Sequence, residues 1–476
     1  MESMVLYPTP AIGHLIAMVE LGKLILTSKP SLSIHILIAT PPYNADDTAA
    51  YIAGVSTTTP SITFHHLPPI SLPPELSTAS PHHETLTFEV IRLNKPIVSQ
   101  ALLSISQNNT IHAFIMDLFC GSTLTVSADL NIPTYFFYTS GAASLSSFLY
   151  LPTLHETIPK SFKDLNNTLL HFPATPPIPS LDMPKPLLDR HDKAYQYFLE
   201  SSANLPKSDG ILVNTFESLE PRALKAVREG LCVPHAPTPP IYCIGPLITT
   251  KEQEGSNSEC LKWLDLQPRH SVVFLCFGSL GLFSKEQLKE IAVGLERSGQ
   301  RFLWVVRNPP PPQQKNQSVA ISESLEIELD SLLPPGFLDR TKDRGLVVKN
   351  WAPQVEVLSH DSVGGFVTHC GWNSVLESIC AGVPMVAWPL YAEQRFNRVV
   401  LVEEIQIALP MNESDDGFVS ASEVEKRVTE LMASSESGGS LWKPALALKD
   451  EARAALSDGG SSRVALTKLT ELWEGR

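Results

Sequence analysis

Hydrophobic residues in the first half of the chain fall into short strand-like runs separated by longer stretches with helical spacing. The runs are MVLYPTP, SIHILIAT, ITFHHLP, HAFIMDL, PTYFFYT and GILVNTF. Strands that alternate with helices in this way are typical of a parallel sheet covered by helices on both faces. The pattern therefore predicts a doubly wound α/β domain, in which a helix follows His14.

The alternation stops at a proline-rich passage and then resumes. The passage, VPHAPTPPIYCIGPL (residues 233–247), predicts a connector between two domains because prolines interrupt regular structure. Beyond it, SVVFLCFGS, RFLWVVR, GLVVKNW, GGFVTHC and PMVAW are predicted strands, and residues 285–297 form a predicted helix. We therefore expect two doubly wound domains that face each other across a cleft, at residues 1–246 and 247–459.

Two further stretches depart from this alternation. Residues 309–330 are acidic and low in complexity, which predicts a surface loop within the second domain. The C-terminal tail has helical spacing that is split by Gly459 and Gly460. The tail therefore predicts two helices, and we expect the last one, at about 460–476, to pack back on the first domain.

Composition excludes several functional classes. The formal net charge of -14, without a basic stripe, argues against a nucleic-acid partner. The N-terminus lacks the pattern of a signal peptide, and no charge-free run reaches the ~18 residues of a membrane span. The seven cysteines lack metal-ligand spacing and are predicted to be buried thiols. We expect a cytoplasmic, monomeric protein that binds no metal.

Polar residues within the apolar stretch 351–394 form the strongest candidate for a binding site. GGFVTHC is a predicted strand, Gly371 the turn after it, and Asn373 and Ser374 the cap of the next helix. The first amides of a helix are unpaired and its dipole favours negative charge. Asn373, Ser374 and the strand-end His369 therefore surround a predicted anion site.

Each of these residues also has a purely structural interpretation. Ser374 and Glu377 have the spacing of a capping box, in which both side chains bond the first amides of their own helix. Trp351 and Trp372 could be core aromatics. His369 could be a structural histidine at the end of a strand.

The stretch 351–394 resembles, over its whole length, the signature box of the plant secondary-product UDP-glycosyltransferases. The region around His14, the DLFC segment, the FGS turn and the GPL connector also follow this family, so the resemblance spans nearly the entire chain. VLYPTPAIGH, MVELGK and SLLPPGFLDRTKDRGLVVKNWAPQ resemble the branch that acts on chalcones, flavonoids and related phenolics. The resemblance implies the GT-B fold of two Rossmann-like domains and metal-independent, inverting sugar transfer from a uridine diphosphate donor, without a cofactor.

The resemblance also implies a set of donor contacts. Trp351 would stack on uracil, Ala352 would bond the edge of uracil through its backbone, and Gln354 and Glu377 would hold the ribose hydroxyls. The residues implied for the diphosphate are Ser279, His369, Asn373 and Ser374.

Four residues are implied for the sugar. Trp372, Glu393 and Gln394 would face its hydroxyls, together with Thr139 from the first domain. Glu393 departs from the commoner aspartate of the family by one methylene. Gln394 accompanies glucose donors in this family, and relatives that use glucuronate have an arginine in place of Trp372, so the resemblance favours neutral UDP-glucose.

The family pattern makes His14 the general base and Asp117 its partner. Histidine suits this role because its unperturbed pKa of ~6.5 allows proton transfer from a phenol once attack on the sugar begins. The structural interpretation of His14 is a helix-start residue bonded to a backbone carbonyl, and that of Asp117 is a helix cap after a strand. The acceptor wall is predicted to comprise Ile12, Phe119, Phe148, Phe198 and Tyr391.

The expected function is therefore transfer of glucose from UDP-glucose to a hydroxyl of a phenolic natural product. A non-catalytic nucleotide-sugar-binding protein, another UDP-sugar and C-glycoside formation remain as alternatives. A nicotinamide-dependent dehydrogenase is disfavoured because no GxGxxG follows the first strand.

Overall fold

The computed structural model describes residues 2–42, 48–73, 82–249, 259–310, 327–436 and 439–474. The described chain divides into two compact units, one of residues 2–248 with 454–474 and one of residues 249–453. Most of the loop predicted at 309–330 lies outside the described residues.

The first unit contains a parallel sheet and a separate pair of short strands. Its strands are β1 Glu2–Tyr7, β2 Ser33–Ile38, β3 Ile62–His66, β4 Thr110–Asp117, β5 Thr134–Tyr138, a short antiparallel pair β6 Leu169–Leu170 and β7 Ile178–Pro179, then β8 Gly210–Val213 and β9 Ile241–Cys243. Its helices are α1 Ile12–Ser28, α2 Ala49–Thr58, α3 His83–Ser106, α4 Leu124–Asp129, α5 Ala142–Thr157, α6 Lys193–Asn204 and α7 Pro221–Arg228.

The second unit repeats this architecture. Its helices are α8 Glu259–Leu264, α9 Lys285–Ser298, α10 Leu329–Leu332, α11 Phe337–Thr341, α12 Gln354–Leu358, α13 Trp372–Ala381, α14 Gln394–Val399, α15 Ala421–Glu436 and α16 Trp442–Leu456. Its strands are β10 Val272–Cys276, β11 Arg301–Val306, β12 Gly345–Lys349, β13 Val363–Thr368, β14 Met385–Ala387 and β15 Ala408–Pro410. The last described helix is α17 Ser461–Glu474.

The order of strands places one reversal point in each sheet. The first sheet runs β3-β2-β1-β4-β5-β8-β9 and the second β12-β11-β10-β13-β14-β15, and every neighbouring pair in both is parallel. The chain therefore reverses its direction of winding between β1 and β4, and again between β10 and β13. Open α/β sheets bind ligands beyond the carboxyl ends of the strands at such points. This topology confirms the predicted doubly wound α/β domains.

The proline-rich passage at 233–247, predicted as a connector, lies just before the boundary between the two units and contains the strand β9. The carbonyl of Pro240 accepts a hydrogen bond from Ile211 N at 2.9 Å, and Ile241 to Cys243 then pair with β8. An edge strand pairs on one side only, so prolines just before it remove no required donor. The sequence pattern therefore concealed a seventh strand of the sheet.

The last helix, α17, packs on the first unit. Leu466, Leu469 and Trp473 belong to the same hydrophobic cluster as β1, β2 and α1. The Ser462 hydroxyl donates to the carbonyl of Gly245 at 2.5 Å. Burial of three large apolar side chains fixes this helix to the sheet.

The structure describes the residues on which two predictions from composition depend, namely the cysteines and the helices. All seven cysteines are free, and five are buried, whereas Cys276 and Cys380 are partly exposed. Among the described helices, none is both long enough and apolar enough to span a bilayer.

Candidate functional site

His14 and Asp117 meet at the reversal point of the first sheet. Ala11 is the N-cap of α1, so His14 lies in its first turn, and Asp117 is the last residue of β4. The two side chains are joined by a contact of 2.6 Å between His14 Nδ1 and Asp117 Oδ2. The Asp117 side chain is 1% exposed, whereas 31% of the His14 side chain is exposed.

This contact decides the tautomer of the histidine. Because a carboxylate accepts hydrogen bonds, the neutral ring carries its proton on Nδ1 and keeps the lone pair on Nε2. The structural interpretation of Asp117 also holds, since its Oδ1 accepts from Phe119 N at 3.3 Å. A buried carboxylate therefore orients a half-exposed base, and Thr139 Oγ1 lies 3.5 Å from the same Nδ1.

A cluster of aromatic side chains contacts the His14 ring through Phe119. The ring of Phe119 is edge-on to it, with 5.8 Å between centroids. Phe88 lies 4.8 Å from Phe119 and 5.0 Å from Phe198, and Phe148 lies 5.5 Å from Phe198. Three of the predicted acceptor residues, Phe119, Phe148 and Phe198, thus form one cluster with Phe88. No sequence pattern indicated Phe88 as a member.

His369 occupies the reversal point of the second sheet. It follows β13 and is buried, and this burial lowers the pKa of its imidazole to about 4. Its Nδ1 meets no hydrogen-bond partner among the described residues. A Cβ atom would lie 2.6 Å from His369 Nε2 at Gly278 and 2.5 Å from it at Gly371. A neutral imidazole is therefore wedged between two turns that require glycine.

The start of α13 corrects the predicted helix cap. Gly371 is the N-cap, in an extended conformation, and no side chain caps this helix. Asn373 and Ser374 are instead the second and third residues of its first turn. The capping box is also absent, because Gln354 Nε2 donates to Ser374 Oγ at 2.8 Å and to Glu377 Oε2 at 2.5 Å.

Glu377 is held near its midpoint of ionisation at neutral pH. Burial is the main cause and raises the pKa of its carboxyl to about 7, against the opposing hydrogen bond from Gln354. A hydroxyl pair that donates to the carboxylate would favour its ionised form.

The two predicted site tryptophans differ in exposure. Trp351 follows β12 and is 57% exposed, so its indole face is open for stacking and it is not a core residue. Trp372 is 4% exposed, as its interpretation as a core aromatic predicts. Ala352 is buried beside Trp351.

Gln394 holds the segment between β14 and α14 in place through hydrogen bonds to its backbone. This side chain is 2% exposed, and its Oε1 accepts from the backbone N–H groups of Leu390 and Tyr391, both at 2.9 Å. Glu393 Oε1 accepts from Asn397 Nδ2 at 3.4 Å. The ring of Tyr391 lies 5.8 Å from that of His369, so Tyr391, predicted for the acceptor wall, lies beside a residue predicted for the diphosphate. Ser279, exposed after β10, completes the predicted residues of this unit, and Ile12 begins α1 in the first.

The contact between Gly278 and His369 can be tested with a matched glycine pair. Gly278 and Gly299 have similar positive φ angles, 73° and 65°, but a Cβ at Gly299 meets nothing within 4 Å. We expect Gly299→Ala to cost about 1–2 kcal/mol in free energy of unfolding, from backbone strain alone. Gly278→Ala should cost about 1–3 kcal/mol more, because His369 must also move.

Urea unfolding of the two variants measures the difference between their free energies of unfolding. Both glycines lie in the second unit, so the two losses can be compared directly. Equal losses of stability in both variants would show that His369 does not press on the turn at Gly278.

The chain is similar to known proteins in sequence and in structure. The family model described as UDP-glucoronosyl and UDP-glucosyl transferase matches residues 230–432. The UDP-glycosyltransferase 88B1 of Stevia rebaudiana is 53% identical to this chain, over 99% of each protein. The anthocyanidin 5,3-O-glucosyltransferase of a Rosa hybrid cultivar is 52% identical, again over 99% of each.

A solved structure extends the likeness to three dimensions. Phytolacca americana UGT2, complexed with UDP-2fluoro-glucose and pterostilbene, matches with a TM-score of 0.87 at 38% identity and covers 100% of both chains. The structural likeness to such plant enzymes confirms the predicted GT-B fold class. The chain belongs to the UDP-glycosyltransferase family and is an enzyme of that family.

Proposed function

We propose that this enzyme transfers glucose from UDP-glucose to a hydroxyl group of a phenolic natural product, with inversion at C1. The observation that carries the proposal is the 2.6 Å contact of His14 with the buried carboxylate of Asp117. The relatives support the acceptor class, because an anthocyanidin is the named substrate of one and pterostilbene is bound to another, and both compounds are phenols.

The proposed chemistry is one displacement at the sugar. The Nε2 lone pair of His14 removes the acceptor O–H proton while the acceptor oxygen forms a bond to C1. The bond between C1 and the diphosphate oxygen breaks, and its electron pair leaves with UDP. Asp117 stabilises the imidazolium that results, because its carboxylate lies against Nδ1.

The second unit supplies the proposed donor contacts. Trp351 stacks on uracil, the backbone of Ala352 bonds its edge, and Gln354 with Glu377 holds the ribose. The diphosphate meets Ser279, His369, Asn373 and Ser374. The exposed indole of Trp351 and the uncapped first turn of α13 support these roles. These hydrogen-bond donors can receive the charge of the leaving group, and the proposed reaction uses no metal.

Glucose is the proposed sugar. Trp372 carries no charge that would pair with a sugar carboxylate, and the buried amide of Gln394 fixes the turn next to Glu393. Thr139 is proposed to reach the sugar, since it lies beside His14.

The first unit is proposed to bind the acceptor. Phe119, Phe148 and Phe198 form with Phe88 an apolar cluster that includes the edge of the His14 ring. Flat phenolic rings bind well between aromatic side chains. Ile12 and Tyr391 remain proposed members of the acceptor wall.

Replacement of the base gives the direct test of this mechanism. We expect His14→Ala to lower kcat for a phenol by at least about 100-fold, the scale of general-base catalysis, with nearly unchanged affinity for UDP. His66→Ala, at an exposed histidine that ends β3, is the matched control and should keep full activity. Full activity in His14→Ala would overturn the mechanism, and a wild-type protein that binds UDP-glucose without transfer would be a non-catalytic binder.

Ionisation of Glu377 gives a second prediction, for uridine binding. Its pKa of about 7 means that the carboxyl is mostly protonated at pH 6 and mostly ionised at pH 8. If only the carboxylate accepts from the ribose, uridine affinity rises about tenfold between these pH values and then levels off. Uridine is used in place of UDP because its own groups do not titrate in this range.

Calorimetric titration of wild type and Glu377→Gln measures the effect. The variant should show a flat profile. The same pH dependence in both proteins would contradict a contact between Glu377 and the ribose.

A further inference from the structure

Arg307 is a charged side chain at the carboxyl edge of the second sheet. It is not one of the residues predicted to contact the donor. It follows β11, which ends at Val306, and it is half-buried. Its Nη1 donates to the carbonyl of Gly278 at 3.3 Å and also to the carbonyl of Ser279. The guanidinium therefore lies on the turn that follows the neighbouring strand β10.

No carboxylate in the described part of the chain pairs with Arg307, and its Nε and Nη2 groups meet no acceptor there. Two other partly buried arginines of the same unit differ in this respect. Arg395 pairs with Glu413, and Arg427 pairs with Glu423 at 2.7 Å. A partly buried cation without a counter-ion has lost hydration and gained little in return, so the position favours an anionic ligand.

The turn that Arg307 contacts also touches the proposed diphosphate residues. A Cβ at Gly278 would lie 2.6 Å from His369 Nε2, and the same nitrogen approaches Gly371, the N-cap of α13. The turn at Gly278 therefore lies between the guanidinium and the imidazole, and the imidazole lies close to the start of this helix. Burial lowers the pKa of the His369 imidazole to about 4, so this ring brings no positive charge of its own to the turn at neutral pH.

We propose that Arg307 binds the diphosphate of the donor and stabilises the negative charge that develops there as the sugar leaves. The inference rests on the proposed function of the second unit. When the bond between C1 and oxygen breaks, the electron pair remains on the diphosphate, which gains one negative charge. A guanidinium with free N–H groups matches phosphate oxygens in charge and in geometry.

Binding of UDP and of uridine separates this role from a purely structural one. We expect Arg307→Gln to weaken UDP binding roughly 10- to 100-fold in titration calorimetry and to leave uridine binding unchanged, because uridine lacks phosphate. Arg307→Lys keeps the charge and should bind UDP more tightly than Arg307→Gln. Arg301→Gln, at the amino end of the same strand, is the matched control and should bind both ligands as wild type does.

Three results would overturn the role of Arg307. They are unchanged UDP affinity in Arg307→Gln, an equal loss of UDP and uridine affinity, and equal UDP affinity in the Gln and Lys variants. The last two would show that the side chain only holds the turn in place. Uridine binding also reports that the variant is folded. Wild type that binds UDP but transfers no glucose to phenols contradicts the proposed function and leaves the comparison of affinities valid.

Discussion

In a parallel sheet all strands end at the same edge, and both candidate sites depend on this constraint. Between β1 and β4 it brings together His14 and Asp117, which are about a hundred residues apart in the chain. Between β10 and β13 it places the turn at Gly278 against His369. The helices that follow cannot cover this edge at a reversal point, so a ligand can approach the ends of the strands there.

The two histidines show how burial gives two side chains of the same type different protonation properties. His14 is half-exposed and has a buried carboxylate on Nδ1, so a proton gained on Nε2 is stabilised. His369 is buried without such a partner, and the pKa of its ring falls to about 4. One ring is therefore suited to carry a proton, and burial keeps the other ring neutral at neutral pH.

The sequence predicted the central strands because their apolar runs are long and bounded by turn residues. It missed β9 and β15, which are three residues each and lie at sheet edges, where little apolar patterning is needed. The helix cap at Gly371 was missed because Asn373 and Ser374 carry the commoner cap side chains. Phe88 and Arg307 became candidates only through contacts with residues distant in sequence, which no local pattern records.

The proposed reaction is a single displacement in which the phenol oxygen attacks C1 of glucose. The most direct measurement is the anomeric configuration of the product that wild type forms from UDP-glucose and a phenol, read from the proton NMR spectrum. UDP-glucose has the α configuration, so one displacement predicts a β-glucoside with one UDP released for each glucoside formed. An α-glucoside, or UDP release without a phenol, would contradict the account.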